Sequence, residues 1–175
     1  MTEKRKATAA EYVQQACTGG YLGIPYDQLD CQAFCEQVLK DTGCRWHNWK
    51  GSNHMWREAV YDRADVGDSK PQPGEWVFTV RHDGGEVARG YHDDMGNAKH
   101  VGLYLGNGEV MHSTTGGVQM SSISDGRWTH HAKVYDVAYL EEDTQPDGVT
   151  LDDIMQDLLD IRDQINTLIE AIEKR

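Results

Sequence analysis

The sequence lacks several features that mark common classes of protein. No apolar run approaches the ~20 residues that span a bilayer, so no transmembrane segment is expected. Basic residues are in the minority, 17 against 29 acidic ones, and the formal net charge is −12 at pH 7. Binding to nucleic acid or to an anionic membrane through phosphates needs a clustered positive surface, and none is visible along the chain. Both partners are therefore disfavoured.

The chain also has little that would suggest secretion by a leader or stapling by disulfides. Basic residues in MTEKRKATAAEYVQQ are not followed by an apolar stretch, so we predict no signal peptide and synthesis in the cytoplasm. There are only four cysteines, which are Cys17, Cys31, Cys35 and Cys44. In a chain expected to have no leader, they are more typical of free thiols than of a disulfide framework.

The acidic surplus is concentrated at the C-terminal end. Residues 141–175 hold 11 acidic and 3 basic residues, against 18 and 14 in residues 1–140. The run EEDTQPDGVT is rich in acids, Pro and Gly, as linkers are. We predict a globular domain over 1–140, an acidic linker over 141–150 and a helix over 151–175.

Apolar residues in the last segment follow a heptad pattern. They alternate in steps of three and four residues over about three heptads, at Leu151, Ile154, Leu158, Ile161, Ile165, Leu168 and Ile172. Such a seam must be buried, either by folding back on its own domain or by self-association as a coiled coil. The linker and the narrow seam favour the coiled coil. The mixture of Leu and Ile at these positions does not favour a simple dimer.

Elsewhere the periodicity indicates helices followed by strands. Helices are predicted over 7–17 and 31–40, and residues 55–64 have a weaker helical pattern. From Trp76 onward the period is two, which predicts short antiparallel strands in WVFTV, HVGLYL, EVMHST and KVYDV. The polar segment 82–99 is expected to be a long loop near the functional face. This order predicts an α+β fold.

One cysteine has a position suited to a nucleophile. Cys31 follows Asp30, a natural N-cap, and opens the predicted helix CQAFCEQVLK. The exposed N–H groups and the dipole of a helix N-terminus stabilise an anion, so the pKa of this thiol is expected to be lowered. The alternative is a small apolar residue on a buried stripe, like Cys35 one turn later.

Two histidines in neighbouring strands could supply the base. His100 begins HVGLYL, and His112 lies in EVMHST across the turn at 106–108. A three-residue turn would pair residue 102 with residue 112 and leave both histidines on one face of the sheet, within reach of a hydrogen bond. A two-residue turn at Asn107 and Gly108 would place them on opposite faces.

Together these motifs resemble the NlpC-type cell-wall cysteine peptidases, papain-like enzymes that cut peptide bonds in bacterial peptidoglycan. The resemblance covers about residues 8–140 and rests on GIPYDQLDCQAFCEQVLKDTG, PGEWVF and KHVGLYLGNGEVMHST. The positions that match the pattern are Tyr26, Asp30, Cys31, His100 to Tyr104, and His112. It implies a papain-like α+β domain of N-terminal helices packed on an antiparallel sheet.

The resemblance also implies acyl transfer without a metal or cofactor. His100 would hold the Cys31 thiolate as an ion pair and later protonate the leaving amine, while His112 would orient His100. The backbone N–H of Cys31 and the hydroxyl of Tyr26 would stabilise the oxyanion. The implied target is the D-γ-glutamyl bond to diaminopimelate or lysine in the stem peptide of peptidoglycan.

The sequence departs from this pattern beside the nucleophile. Gln32-Ala33 replaces the usual Ser-Gly, so Asp30 and Gln32 are expected with Tyr26 at a substrate site whose wall differs. The loop before His100 looks long. The Asp-Cys-Gln-Ala form and the expected lack of a leader resemble phage or prophage lysins of Gram-positive hosts, which act on the wall after release.

Three other interpretations use the remaining side chains. Cys31, Cys35, Cys44 and His47 could bind zinc, although their spacing matches no common zinc module. Trp46, Trp49 and Trp56 could form a platform for sugar rings, although covering a core edge is the more usual role. His82, Asp83, His92, Asp93 and Asp94 could gather a cation, although a solvated polar loop is favoured.

The function predicted from the sequence is therefore an endolysin-like peptidoglycan endopeptidase. One alternative is a CHAP-like amidase, which uses Cys-His chemistry on the bond between sugar and peptide. Another is a catalytically idle, wall-binding phage protein whose working part is the coiled coil. The linked prediction is that self-association through residues 151–175 multiplies catalytic domains on an insoluble wall.

Overall fold

A computed structural model describes residues 5–82, 91 and 93–139 of the chain. The helices of this part are α1 (Ala9–Thr18), α2 (Cys31–Asp41) and α3 (Ser52–Glu58). The strands are β1 (Ala7–Thr8), β2 (Val60–Asp65), β3 (Trp76–Arg81), β4 (Asn97–Gly106), β5 (Glu109–Thr114), β6 (Gly117–Ser122), β7 (His130–Val134) and β8 (Val137–Ala138). The α+β plan expected from the sequence is confirmed.

Side-chain caps explain where the first two helices begin. The hydroxyl of Thr8 accepts a hydrogen bond from the backbone N–H of Glu11 at 3.1 Å, and the Glu11 carboxylate accepts one from the N–H of Thr8 at 2.9 Å. This reciprocal capping box starts α1. Asp30 Oδ1 accepts from the N–H of Ala33 at 2.8 Å and starts α2 at Cys31. Both helices lie within two residues of their predicted bounds.

The main sheet has six antiparallel strands in the order β2-β7-β3-β4-β5-β6, and β1 pairs with β8 separately. Helix α2 packs on β4 and β5. The core between them includes Phe34, Trp76 and Leu103, none of which is exposed to solvent. Burial of this apolar area is the main stabilising contribution and fixes α2 against the sheet.

A buried polar chain ties α1 to the same core. Trp76 Nε1 donates to the hydroxyl of Tyr12 at 2.8 Å, and that hydroxyl donates to the carbonyl of Cys35 at 2.8 Å. Burial raises the pKa of the Tyr12 phenol well above its ordinary value, so it remains a donor. Because each polar atom in this series of hydrogen bonds has a partner, the burial of these polar atoms carries little penalty.

Three predicted elements differ from the structure, and one further strand was not predicted. Residues 55–64 are not one helix, because α3 ends at Glu58 and Val60 starts β2, which pairs with β7. The strand not predicted is β6, whose GVQMSS sequence belongs to an edge strand with polar side chains. Residues 97–99 are part of β4 rather than a loop, and the KVYDV run is divided between β7 and β8.

The hairpin between β4 and β5 combines a two-residue turn with a bulge. Gly106 pairs with Glu109 across Asn107-Gly108, whose φ angles of 52° and 83° suit a type I′ turn. The register shifts between Tyr104 and Gly106, and further along Leu103 pairs with Met111. The bulge restores the register that a three-residue turn would give. The expectation that a two-residue turn separates the histidines is therefore wrong.

The predicted linker and heptad helix, at 141–150 and 151–175, lie outside the described residues, and the coiled coil stays a prediction. Asp83 and His92, two members of the proposed cation cluster, also lie outside them. None of the helices in the described part of the chain is long and apolar enough to cross a membrane.

Candidate active site

The site is built around Cys31 at the first turn of α2. Its side chain is only 7% exposed, and burial raises the pKa of the thiol. Hydrogen bonds from the backbone of Val101, next to His100, and of Gln32 act in the opposite direction, as does the Tyr26 hydroxyl. The predicted lowering of the thiol pKa is therefore wrong. Desolvation outweighs the helix N-terminus at this position.

Strands β4 and β5 place the two histidines side by side. His100 Nε2 lies 2.8 Å from His112 Nδ1, a hydrogen-bond distance, and the rings are nearly perpendicular. His100 is partly exposed, whereas His112 is fully buried. A buried ring behind a partly exposed one is an arrangement that can fix the orientation of the outer ring.

Trp128 covers this pair, a role that no motif in the sequence predicted. Its ring stacks on His100 with centroids 5.4 Å apart at 22°, and meets His112 edge to face at 5.1 Å and 84°. Gly102 leaves the space for it, because a Cβ there would lie 2.9 Å from Trp128 and 2.8 Å from Val110. The indole is 4% exposed and shields one side of the histidine pair from solvent.

The same burial keeps both imidazoles uncharged. It lowers the pKa of His100 to about 4, with a second contribution from the positive charge of Arg127. The pKa of His112 is also lowered to about 4, by burial, then by His100 and Arg127, against a smaller opposite effect of Asp125. Both rings are therefore neutral near pH 7.

An open groove of about 430 Å³ gives access to His100. Its walls are Tyr26, Thr79, His100, Thr114, Thr115 and Arg127. Tyr26 is 40% exposed, and the pKa of its phenol is raised, first by the nearby Cys31 and then by burial and Asp30. Its hydroxyl therefore stays protonated and can donate a hydrogen bond to a ligand in the groove.

The other two residues expected at the substrate site, Asp30 and Gln32, make contacts within the protein. Asp30 caps α2 as described. Gln32 donates from Nε2 to Glu36 at 2.9 Å and accepts at Oε1 from the backbone of Gly51 at 3.1 Å. Glu36, 1% exposed, also accepts from the backbone of His47 at 2.8 Å. Gln32 thus ties the start of α2 to the segment before α3.

The residues considered for zinc do not converge. Cys44 Sγ contacts the Thr42 hydroxyl at 3.4 Å and the carbonyl of Asp136, and His47 Nε2 contacts the Asp136 carboxylate. Cys35 is fully buried in the core. Within 5–82, 91 and 93–139, no group of three or more His, Cys, Asp or Glu side chains is arranged to hold a metal ion.

Two of the three tryptophans considered for sugar binding belong to the core. Trp49 and Trp56 are 7% and 3% exposed and meet Trp76 and Phe78 at ring-centroid distances of 5.5 and 4.9 Å. Trp46 is exposed, with the Lys40 ammonium over its ring. The three do not form one platform.

The polar loop and the β7 histidines form structural contacts. Asp93 is paired with Arg57 through two contacts of 2.7 Å.

His131, to which the sequence assigned no role, is buried and lies 2.5 Å from Glu75 through Nδ1 and 2.9 Å from Ser69 through Nε2. A histidine in a strand with no neighbouring motif carries no signal that predicts such a network.

Comparison with known proteins agrees with this architecture. The model of the NlpC/P60 family matches residues 18–136, a span that holds Cys31, His100 and His112. No curated protein matches the chain in sequence.

Solved structures share the fold at low identity. The NlpC/p60 domain of the peptidoglycan hydrolase SagA is 21% identical, with a TM-score of 0.52 over 73% of this chain and 100% of that one. An NlpC/P60 family protein from Bacillus cereus ATCC 10987 is 20% identical, with a TM-score of 0.53 over 75% of this chain and 42% of that one. The P60 domain of antigen MAP1204 from M. avium subspecies paratuberculosis is 15% identical, with a TM-score of 0.50 over 71% of this chain and 96% of that one. Because the family model matches well over half of this chain, the chain belongs to the NlpC/P60 family.

Proposed function

We propose that the protein is a peptidoglycan endopeptidase that cleaves the D-γ-glutamyl bond to diaminopimelate or lysine by Cys31–His100–His112 catalysis. The observation that supports this most directly is the 2.8 Å contact between His100 and His112 at an open groove. The backbone of Val101, next to His100, is hydrogen-bonded to the buried Cys31 thiol. A nucleophile, a base and a group that orients the base are the parts that acyl transfer needs.

The resting state suggested by the pKa directions is an uncharged pair rather than an ion pair. Burial raises the pKa of the Cys31 thiol and lowers that of His100 to about 4. We therefore assign His100 the role of general base at the moment of attack, when it takes the thiol proton. This revises the thiolate–imidazolium pair that the family resemblance implied.

The proposed reaction proceeds through a thioester. Sγ of Cys31 bonds to the scissile carbonyl carbon as its proton moves to His100, and the carbonyl oxygen becomes an oxyanion. The Cys31 backbone N–H and the Tyr26 hydroxyl donate to that oxyanion. The carbon–nitrogen bond then breaks as His100 gives its proton to the leaving amine.

Hydrolysis completes the cycle. His100 takes a proton from water, the hydroxide bonds to the thioester carbon, and the carbon–sulfur bond breaks with return of the proton to sulfur. His112 contributes by holding the His100 ring in one orientation throughout both steps. Burial under Trp128 keeps water from competing for their hydrogen bond.

We propose that the protein acts on the bacterial wall after release, as phage or prophage lysins do, and that residues 151–175 join several catalytic domains. Several domains on one assembly would raise avidity for an insoluble polymer without any new contact.

Mass spectrometry of fragments released from purified peptidoglycan tests the bond specificity. A fragment with a new amino terminus on diaminopimelate or lysine is expected. A free lactyl carboxyl group on the sugar, with an intact stem peptide, would instead identify the CHAP-like amidase. Release of nothing by the folded protein would favour the idle wall-binding alternative.

A further inference from the structure

We propose that Arg127 binds the free α-carboxylate of the glutamyl residue whose side chain is being cleaved. This inference rests on the proposed function and names the chemical group that the groove recognises. A γ-glutamyl linkage leaves its α-carboxyl group unconsumed, a few carbon atoms from the scissile carbonyl. The site would therefore distinguish a substrate with a free carboxylate from one in which that group is an amide.

The composition of the groove favours an anionic ligand. Of its six lining residues, three are threonines and none carries a carboxylate, although the whole protein has a net charge of −12. His100 is neutral near pH 7, which leaves Arg127 as the charged member of the set. A groove that presents hydroxyl groups and one guanidinium has the donors that a carboxylate accepts.

The backbone holds Arg127 next to the proposed catalytic base. The hydroxyl of Thr79 donates to the carbonyl of Arg127 at 3.0 Å, and Thr79 pairs with His100 between β3 and β4. On the other side, Trp128 is buried against His100, and the Thr129 N–H donates to the carbonyl of Phe78 at 2.9 Å. Hydrogen bonds to β3, the strand that pairs with β4, thus hold the backbone at Arg127 in place.

The guanidinium itself is left available. Arg127 is exposed, and its side chain makes no hydrogen bond or ion pair with any other residue in the described ranges. Its charge nevertheless acts on both His100 and His112, lowering the pKa of each, so it lies within electrostatic reach of the site. The acidic group Asp125 has a smaller effect of opposite direction and raises the pKa of His112. A planar guanidinium can bind a carboxylate through two parallel hydrogen bonds.

A pair of matched substrates tests the proposal. Two stem peptides with the same γ-glutamyl bond are compared, one with a free α-carboxyl group and one with an α-carboxamide. We expect the wild-type protein to cleave the carboxylate with a kcat/KM about tenfold higher, a ratio typical of one partly solvated charged contact. In Arg127→Gln the ratio should fall to about one, and Arg127→Lys should retain part of the preference.

The ratio of the two kcat/KM values is informative because any change at His100 alters the cleavage of both substrates alike. Lys70→Gln removes the same charge at a separate groove and should keep the wild-type ratio. Equal cleavage of both substrates by the wild type, or an unchanged ratio in Arg127→Gln, would overturn the role of Arg127 and leave the proposed function intact. If the folded wild type cleaves neither substrate, the proposed function fails, and this inference fails with it.

Discussion

The thiol of Cys31 shows why a residue's position in a helix does not by itself set its chemistry. A helix N-terminus stabilises a thiolate, but the side chain is 7% exposed, and the loss of solvation disfavours the charged form more strongly. Sequence reasoning finds the first effect from the Asp-Cys pair. It cannot find the second, because the burial comes from strands far away in the chain.

We therefore expect the resting protein to hold Cys31 as a thiol near neutral pH. Because burial raises the thiol pKa, the ultraviolet absorption of a thiolate should develop only at a more alkaline pH than that of an ordinary cysteine. The measurement is the absorbance difference between wild type and Cys31→Ser as pH increases, which removes the signal of the other cysteines. A thiolate already present near pH 6 would indicate an ion pair and contradict this expectation.

Trp128 provides a second prediction at the residue scale. Trp128→Ala should admit water to His100 and His112, so their pKa values should rise from about 4 towards the usual value near 6.5. The base must be neutral to act. The acid limb of the kcat/KM profile should therefore move upward by roughly one pH unit or more.

Trp128→Phe, which keeps an aromatic ring over His100, is the matched variant and should shift the acid limb less. An acid limb in Trp128→Ala that coincides with that of the wild type would show that Trp128 does not control the solvation of the pair.

At the scale of elements, the β4–β5 hairpin determines whether the two histidines meet. The alternation of HVGLYL and EVMHST predicted both strands, and the Asn-Gly pair predicted the turn. The bulge between Tyr104 and Gly106 was not predictable, because it depends on how these strands pack within the whole sheet. The position of Trp128 was missed for a related reason, since it follows a polar turn and precedes a strand that has little alternation.

Gly102 is a residue of this hairpin that should tolerate substitution poorly. In Gly102→Ala the new Cβ would meet Val110 at 2.8 Å and Trp128 at 2.9 Å, closer than real Cβ contacts. Overpacking of this kind costs about 1–3 kcal/mol, so we expect a lower free energy of unfolding in urea, together with reduced activity.

Gly67→Ala is a suitable control for that substitution. A Cβ at Gly67 has no neighbour within 4 Å among the contacts of the described residues. Equal unfolding free energies for the two variants would contradict the packing account of the hairpin.

At the scale of the whole molecule, the acidic surplus and the candidate active site belong to different parts of the sequence. Most of the surplus lies in residues 141–175, whereas the NlpC/P60 match ends at residue 136. The net charge of −12 therefore says little about the substrate. The fold class followed from ordered motifs in the first 140 residues, and the same motifs hold the candidate site residues Cys31, His100 and His112. The structural roles of Glu75 and His131 did not, because no local pattern links residues so far apart.

The heptad segment makes a prediction about assembly. Removing residues 147–175 should convert an oligomer into a monomer, because the a and d positions have no other partner of the same kind in the sequence. Light scattering on the full chain and on the shortened chain measures this directly. The shortened protein should keep its activity on soluble stem peptides and lose activity on intact walls. An equal number of subunits in both proteins would exclude self-association through this segment.

The central claim is that Cys31 is the nucleophile that cleaves the peptide bond in peptidoglycan. A matched pair of cysteine variants tests this claim most directly. Rates of release of new amino groups from purified peptidoglycan are measured for wild type, Cys31→Ala and Cys17→Ala, with circular dichroism to establish folding. Cys17 is exposed on α1 and serves as the control. We predict a loss of about 10⁴-fold or more in Cys31→Ala and a rate near that of the wild type in Cys17→Ala. A folded Cys31→Ala variant that still releases amino groups at the wild-type rate would contradict the account.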